Sequence, residues 1–259
     1  MFPHPRKNKA ALLMGGLFAL IALPGLAVAE ERPERIPADE LRSMANTHAL
    51  DAVALYREFL ALPNDAIYPE QIAALNTWVR GAFEARGFTT QLLPTDGSPS
   101  VYAERLSANA DTTVLIYLQA DGQPVDRSAW HQADPYDAVL KEQLADGNWE
   151  TIDWSRLQTG LNPDWRIFAR SAADSKGPMT QFMMAVQLLT EVKSDLGYNL
   201  KVLIDTEEEL GSPNLAAAVA ANKELLAADM LLIFDGPPHA SNHPTVSLGA
   251  RGIATITLT

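Results

Sequence analysis

Three apolar runs constrain this chain more than any other feature: Thr112–Leu118 (TTVLIYL), Lys201–Ile204 (KVLI) and Met230–Phe234 (MLLIF). A strand with one wet face alternates apolar and polar residues. A run without that alternation fits a strand covered on both faces. Helical patterns separate the runs, at Pro178–Val192 and Ser212–Leu226. Strands that alternate with helices build a parallel sheet with helices on both sides. The expected fold class is therefore α/β, a three-layer sandwich with a mostly parallel central sheet, in which the three runs are adjacent or nearly so. Upstream, Asp51–Leu62 has apolar residues at helical spacing and stops at Pro63, and Tyr68–Arg86 is a second amphipathic helix with Gly87 at its C-cap. Phe88–Leu93 and Val101–Leu106 read as strands flanking a turn at Pro94–Gly97, and Trp130–Trp165, rich in Trp, Asp and Gly, reads as a long ordered loop or excursion.

Composition supports a globular reading. The 259 residues are 47% hydrophobic and 20% charged, which argues against disorder, collagen and coiled coil. The formal charge of -12 argues against a nucleic-acid partner. With no cysteine, disulfides, Cys-based zinc sites and thiol nucleophiles are excluded, so any metal must be held by carboxylates, His, backbone or water. Residues 1–29 read as a signal peptide: Arg6, Lys7 and Lys9 precede an apolar stretch, Ala10–Leu26, broken by Gly15, Gly16, Pro24 and Gly25, and Ala27-Val28-Ala29 is a cleavage pattern. The competing reading is a membrane anchor. Cleavage implies a periplasmic or secreted protein with no membrane association after processing. Residues 30–50 read as a linker and N-terminal helical region.

Acids recur where an α/β sheet binds its ligands, beyond the carboxyl ends of the strands. TTVLIYL runs into Gln119-Ala120-Asp121, KVLI into Asp205-Thr206-Glu207-Glu208-Glu209, and MLLIF into Asp235-Gly236, while Asp174 lies just before a helix. A single acid after a strand is most often a solvated turn or cap. Three on one rim repel one another unless something neutralises them, and divalent metals do this without cysteine. Of two neighbouring glutamates, one can bind metal while the other takes the proton of the metal-bound water.

Four stretches now resemble the two-zinc exopeptidases that include acetylornithine deacetylase, succinyl-diaminopimelate desuccinylase, aminoacylase and glutamate carboxypeptidase. They are YLQADGQPVD with the following WHQADPY, RIFARSAADSKGP, DTEEELGSPNL, and ADMLLIFDGPPH with PTVSLGARG, in the family's order. The resemblance implies a metal-dependent hydrolase of amide bonds, acting on dipeptides or N-acyl amino acids. It implies two divalent ions, zinc first, with cobalt or manganese as alternatives. By residue, it implies that Asp174 bridges both metals, that Glu208 is the general base, that Glu209 and Asp235 each bind one metal, and that Asp121 orients a ligand from behind. Glu207 reads as an ordinary acid.

Two departures weaken that set. Gln119 stands where the resemblance implies a histidine, and zinc prefers His nitrogen to an amide oxygen. The chain also lacks the lid domain and the late histidine that the resemblance implies. It reads as the N-terminal part of such an enzyme, with an incomplete catalytic domain over 51–250 and the start of a lid or dimerisation domain at 251–259. A homodimer is expected only where a lid is present. His48 and His131 read as surface residues, and His239 and His243 as loop residues close to Asp235. The ligand count therefore predicts impaired turnover. The alternatives are a non-catalytic relic or scaffold that keeps the fold, and a periplasmic binding module.

Overall fold

The computed structural model describes residues 36–236 apart from 109 and 194, together with 239, 243, 245 and 246. The chain divides after Pro37 into two units, and the second, Ala38–Thr259, carries all of the described helices and strands. The start of a lid or dimerisation domain expected at 251–259 lies outside the described residues. No helix among the described residues is long and apolar enough to cross a membrane.

Three helices come first: α1 (Ala38–Thr47), α2 (Ala49–Leu60) and α3 (Pro69–Glu84). Helix α1 begins inside the segment read as linker. Pro69 opens α3, where its missing N–H costs no helical bond, and Gly87 closes it at φ 80, a conformation that a Cβ would strain. Strands β1 (Thr89–Leu93) and β2 (Ser100–Arg105) form the expected hairpin, paired antiparallel. The first apolar run is β3 (Thr113–Gln119).

The Trp-rich excursion is more ordered than a loop. It holds β4 (Val139–Gln143), β5 (Trp149–Ile152) and β6 (Arg166–Phe168), an antiparallel sheet of order β5-β4-β6. Its strands are three to five residues long, too short for their alternation to stand out in the sequence. Then come α4 (Gly177–Val192), β7 (Asn199–Asp205), α5 (Leu215–Ala221) and β8 (Met230–Ile233). Helix α5 is shorter than the pattern Ser212–Leu226. Gly211 at φ 82 turns the chain ahead of it, and after Asn222 it continues as a turn closed by Leu226 N–H on Asn222 O at 2.9 Å.

The main sheet has order β1-β2-β7-β3-β8. The three apolar runs are neighbours, with β3 parallel to both β7 and β8, and β2 joins β7 antiparallel, so the sheet is mixed around a parallel centre. Alternation along the strands builds the layers. Val101, Ala103, Ile116, Leu118, Leu200, Val202 and Ile204 pack with α2, α3 and α4. Tyr102 and Leu203 point the other way, against Leu226 with Leu215 beside it. Strand β8 departs from the expected two-sided burial. Met230, Leu231, Leu232 and Ile233 are 53%, 56%, 41% and 61% exposed. It stands at the edge of the described sheet with β3 as its only paired neighbour, so its apolarity marks it as a strand without covering it.

Candidate active site

Parallel β3, β7 and β8 end on one rim. Gln119 pairs with Asp205 across β3 and β7, and Tyr117 with Ile233 across β3 and β8. Phe234 N–H reaches Tyr117 O at 3.1 Å, so continuing that register sets Asp235 beside Gln119. Gln119 thus lies between Asp205 and Asp235. The turn Ala172–Lys176, which carries Asp174, packs against β3.

The rim's acids divide into holders and free groups. Asp205 accepts from Tyr117 Oη at 2.9 Å, Ser212 Oγ at 2.7 Å and the Glu207 N–H at 3.1 Å. The Glu207 carboxylate is buried and accepts from the Ser98 N–H at 3.0 Å and Asn214 Nδ2 at 2.6 Å. Glu207 is therefore a brace for its loop, which the reading of an ordinary acid did not foresee. Asp121 Oδ2 accepts from the Glu209 N–H at 3.0 Å. Three carboxylates so anchor the 205–214 segment and leave the Glu208 and Glu209 side chains for the rim. Glu209 itself accepts from Gln123 Nε2 at 2.9 Å.

The free acids face one another. Ser175 Oγ shares its proton between Asp174 Oδ1 at 2.8 Å and Asp235 Oδ1 at 3.3 Å, so these two carboxylates flank one hydroxyl. Burial raises the Glu208 carboxyl, and the charges of Glu209, Asp235, Asp174 and Asp205 raise it further. Burial also pushes Asp121 up to about 7, opposed by the N–H groups of Glu209 and Glu208 and aided by the charge of Asp205. The residues singled out in the sequence therefore share one electrostatic neighbourhood.

Behind the rim lies a buried clamp. Asn64 Nδ2 donates to Ala120 O at 2.8 Å and lies 3.0 Å from Ser171 Oγ, while Asn64 O accepts from the Gly122 N–H at 2.7 Å. One residue so ties the Asp121 segment to the Asp174 turn. Lys176 is fully buried, with Nζ donating to Phe59 O at 3.0 Å and to Leu62 O at the end of α2. Tyr56 Oη bonds Ala172 O. The clamp partners lie up to 117 residues apart in the chain, so no local pattern could have shown them.

The donors here do not fit a pair of zinc ions. Among the described residues no group of three or more His, Cys, Asp or Glu could hold a metal. His48 is taken up by Asp51 and Glu191, at 3.6 and 3.0 Å, and His131 is exposed. Among the described residues that strand register and hydrogen bonds place at the rim, the donors are oxygens: carboxylates and the Gln119 amide. The two described cavities, about 240 and 370 Å³, lie elsewhere, one around Arg105 and Tyr198 and one around Trp149 and Trp165.

A parallel α/β core with acids gathered at the strand ends is the arrangement that the sequence motifs led one to expect. Relatives place it more closely. The chain is 30% identical over 156 residues to a human Beta-Ala-His dipeptidase, covering 60% of this chain and 26% of that protein. It is 29% identical to a Cysteinylglycine-S-conjugate dipeptidase of Corynebacterium striatum, covering 76% and 38% respectively. An M20 family metallo-carboxypeptidase of Sulfolobus solfataricus superposes with TM-score 0.57 at 31% identity, covering 71% of this chain and 37% of that one. Human carnosine dipeptidase 1 shares the fold, with TM-score 0.60 at 22% identity, covering 75% and 40%. The chain's relatives and structural neighbours are thus M20 family metallopeptidases, in agreement with the two-zinc exopeptidases that its motifs resemble. It spans about a quarter to two fifths of the length of these curated relatives. No protein-family model matches it.

Proposed function

We propose that this chain carries the catalytic part of a metal-dependent dipeptidase, with Glu208 as the general base. The observation that supports this most is the loop of Glu208. Asp205, Glu207 and Asp121 brace it, and its free carboxylate faces Asp174, Asp235 and Glu209. A raised carboxyl holds a proton more strongly than an ordinary glutamate. Glu208 so suits taking a proton from the attacking water and passing it to the leaving amine. Asp121, through the Glu209 N–H, sets the direction of the glutamate pair. Dipeptides are the favoured substrates because the named relatives are dipeptidases; N-acyl amino acids are the alternative.

The described rim donors, carboxylates and the Gln119 amide, support weak turnover. The expected outcome is slow release of amino acids from a dipeptide panel, reduced about 100-fold or more by Glu208→Ala. A non-catalytic scaffold is the second reading, favoured by Gln119 and by the absence of a three-residue ligand group among the described residues. A folded protein with no turnover on any dipeptide, unchanged by Glu208→Ala, would establish it. We also infer export, from the basic start, broken apolar stretch and Ala27-Val28-Ala29. N-terminal sequencing of the cell-derived protein should begin at Glu30, and a retained residue 1–29 segment would refute cleavage.

A further inference from the structure

We propose that the cavity between β4 and the turn before β6 binds a neutral saccharide, its ring stacked on Trp149 and its hydroxyls held by Trp165 and Asp164. The site goes beyond the peptidase reading and does not depend on it. Its origin is a break in strand pairing. Strands β4 and β5 pair as far as Gln143 with Trp149, whereas β4 and β6 pair only as far as Lys141 with Arg166. Ahead of Arg166 the chain cannot extend that ladder. Pro163 has no N–H, and the Asp164 N–H is taken by Asn162 Oδ1 at 2.9 Å. The turn so leaves β4 and opens a cavity of about 370 Å³, lined by Glu142, Trp149, Asn162, Asp164, Trp165 and Arg166. That is the small end of the ~300–1,000 Å³ range of ligand sites, which suits a mono- or disaccharide.

The lining selects the chemistry of the ligand. Trp149 is 37% exposed, and its edge contact with Phe168, with centroids 5.3 Å apart, holds the ring in place. A rigid indole offers a flat apolar face at low entropic cost, which matches the C–H face of a pyranose. Trp165 Nε1 is a covered donor without an acceptor. Turning it toward a ligand oxygen gains a hydrogen bond and breaks none. The exposed Asp164 carboxylate accepts no hydrogen bond from the described residues. A hydroxyl can accept from the first and donate to the second, and a sugar carries hydroxyls around an apolar ring face. Charge argues against an ionic ligand. Glu142 is paired with Arg156 at 2.9 Å, and Asp164 is matched in number by Arg166, so two acids face two arginines with no net charge. The Arg156 guanidinium also lies 4.9 Å from the Trp165 ring centroid, so one face of that ring already holds a cation.

The test is calorimetric titration of the protein with maltose, cellobiose and N,N′-diacetylchitobiose, with saturation-transfer NMR to read which sugar protons touch aromatic side chains. Circular dichroism establishes folding in each variant. Wild type should bind at least one of these sugars saturably, with ring C–H protons in aromatic contact. Trp149→Ala should weaken that binding by about tenfold or more, as loss of an aromatic anchor does. Trp165→Phe keeps a ring and removes the N–H, and should weaken it by about 2- to 10-fold. The trisaccharide of the bound sugar separates two sources: tighter binding than the disaccharide identifies the end of a glycan chain, and equal binding identifies the free sugar. No sugar bound by folded wild type, or an affinity unchanged in Trp149→Ala, would overturn the inference. Saturable binding of arginine amide in place of sugar, lost in Trp149→Ala, would overturn it too and make the cavity a cation site. The peptidase reading stands or falls separately, on Glu208→Ala.

Discussion

Asp121 shows what burying acids on one rim does to a single residue. Its carboxyl is pushed up to about 7 by burial, so the folded protein holds that proton well above the range where an unfolded aspartate loses it. Between the two values the folded state binds more protons than the unfolded one, and stability falls as pH rises. Asp121→Asn keeps the shape and removes the titration. In chelated protein the variant should melt close to wild type below about pH 4, and its advantage should grow as pH rises from there to about 7 and level off above. A melting-temperature difference that stays flat across that range would show that Asp121 is ionised throughout. Gln119 gives a second expectation. Its unmatched Oε1 is buried, so Gln119→Leu should leave the metal-free protein as stable as wild type or stabilise it by about 1 kcal/mol, read as a higher melting temperature. That Asp121, Asp174, Glu208, Glu209 and Asp235 gather at one rim was legible in the sequence, because strand ends and motif order both mark them. Their holders were not. Asn64 and Ser171 meet across 107 positions, and each alone is an ordinary loop residue.

At the level of elements, connections hold the rim as much as strands do. Asp65 and Gly122 form an isolated parallel bridge, and the Gly122 N–H bonds Asn64 O at 2.7 Å. This backbone contact leaves no room for a side chain. A Cβ on Gly122 would stand 2.3 Å from Ser171 Oγ and 3.0 Å from Asn64 Nδ2, so one of the two must move. Gly122→Ala should cost about 1–3 kcal/mol, as overpacking of a buried site does. For a domain of this size that lowers the melting temperature by roughly 2–4 °C per kcal/mol. It should also weaken any ion binding at the rim, since the wedge pries the Asp121 segment from the Asp174 turn. Gly122→Ala with wild-type melting would mean that the clamp yields freely. Long elements were legible: α2, α3, α4, β3 and β7 coincide with strong periodic or continuous apolar patterns. Short ones were not, because three to five residues of β4, β5 and β6 carry too few positions to show a period. Helix α5 ends at Ala221, with Asn222 out of helical conformation, although its apolar pattern runs on to Leu226.

On the scale of the whole molecule, surface charge and surface apolarity pull in opposite directions. A formal charge of -12 keeps chains apart in solution. Strand β8 works against it, with four consecutive apolar residues between 41% and 61% exposed at the edge of the described sheet. The sequence made β8 legible as a strand but not as an edge, because its apolarity is the same whether a neighbour covers it or not. In-register pairing sets Leu232 on the face of Ile116, where α2, α3 and α4 pack, and Leu231 and Ile233 on the face of Leu115 and Tyr117. Among the described residues, both faces of β8 offer apolar surface and its outer edge pairs with no strand, a combination that templates pairing between chains. The 259-residue chain should self-associate as concentration rises, and more so in salt, which screens the acidic repulsion. Light scattering across a dilution series at low and high ionic strength measures this. Leu231→Lys puts a charge on the exposed face without touching the rim, and it should lower self-association while leaving stability within about 0.5 kcal/mol of wild type, as exposed substitutions do. If Leu231→Lys instead unfolds the protein, β8 is buried by residues outside those described, and the edge belongs to the core.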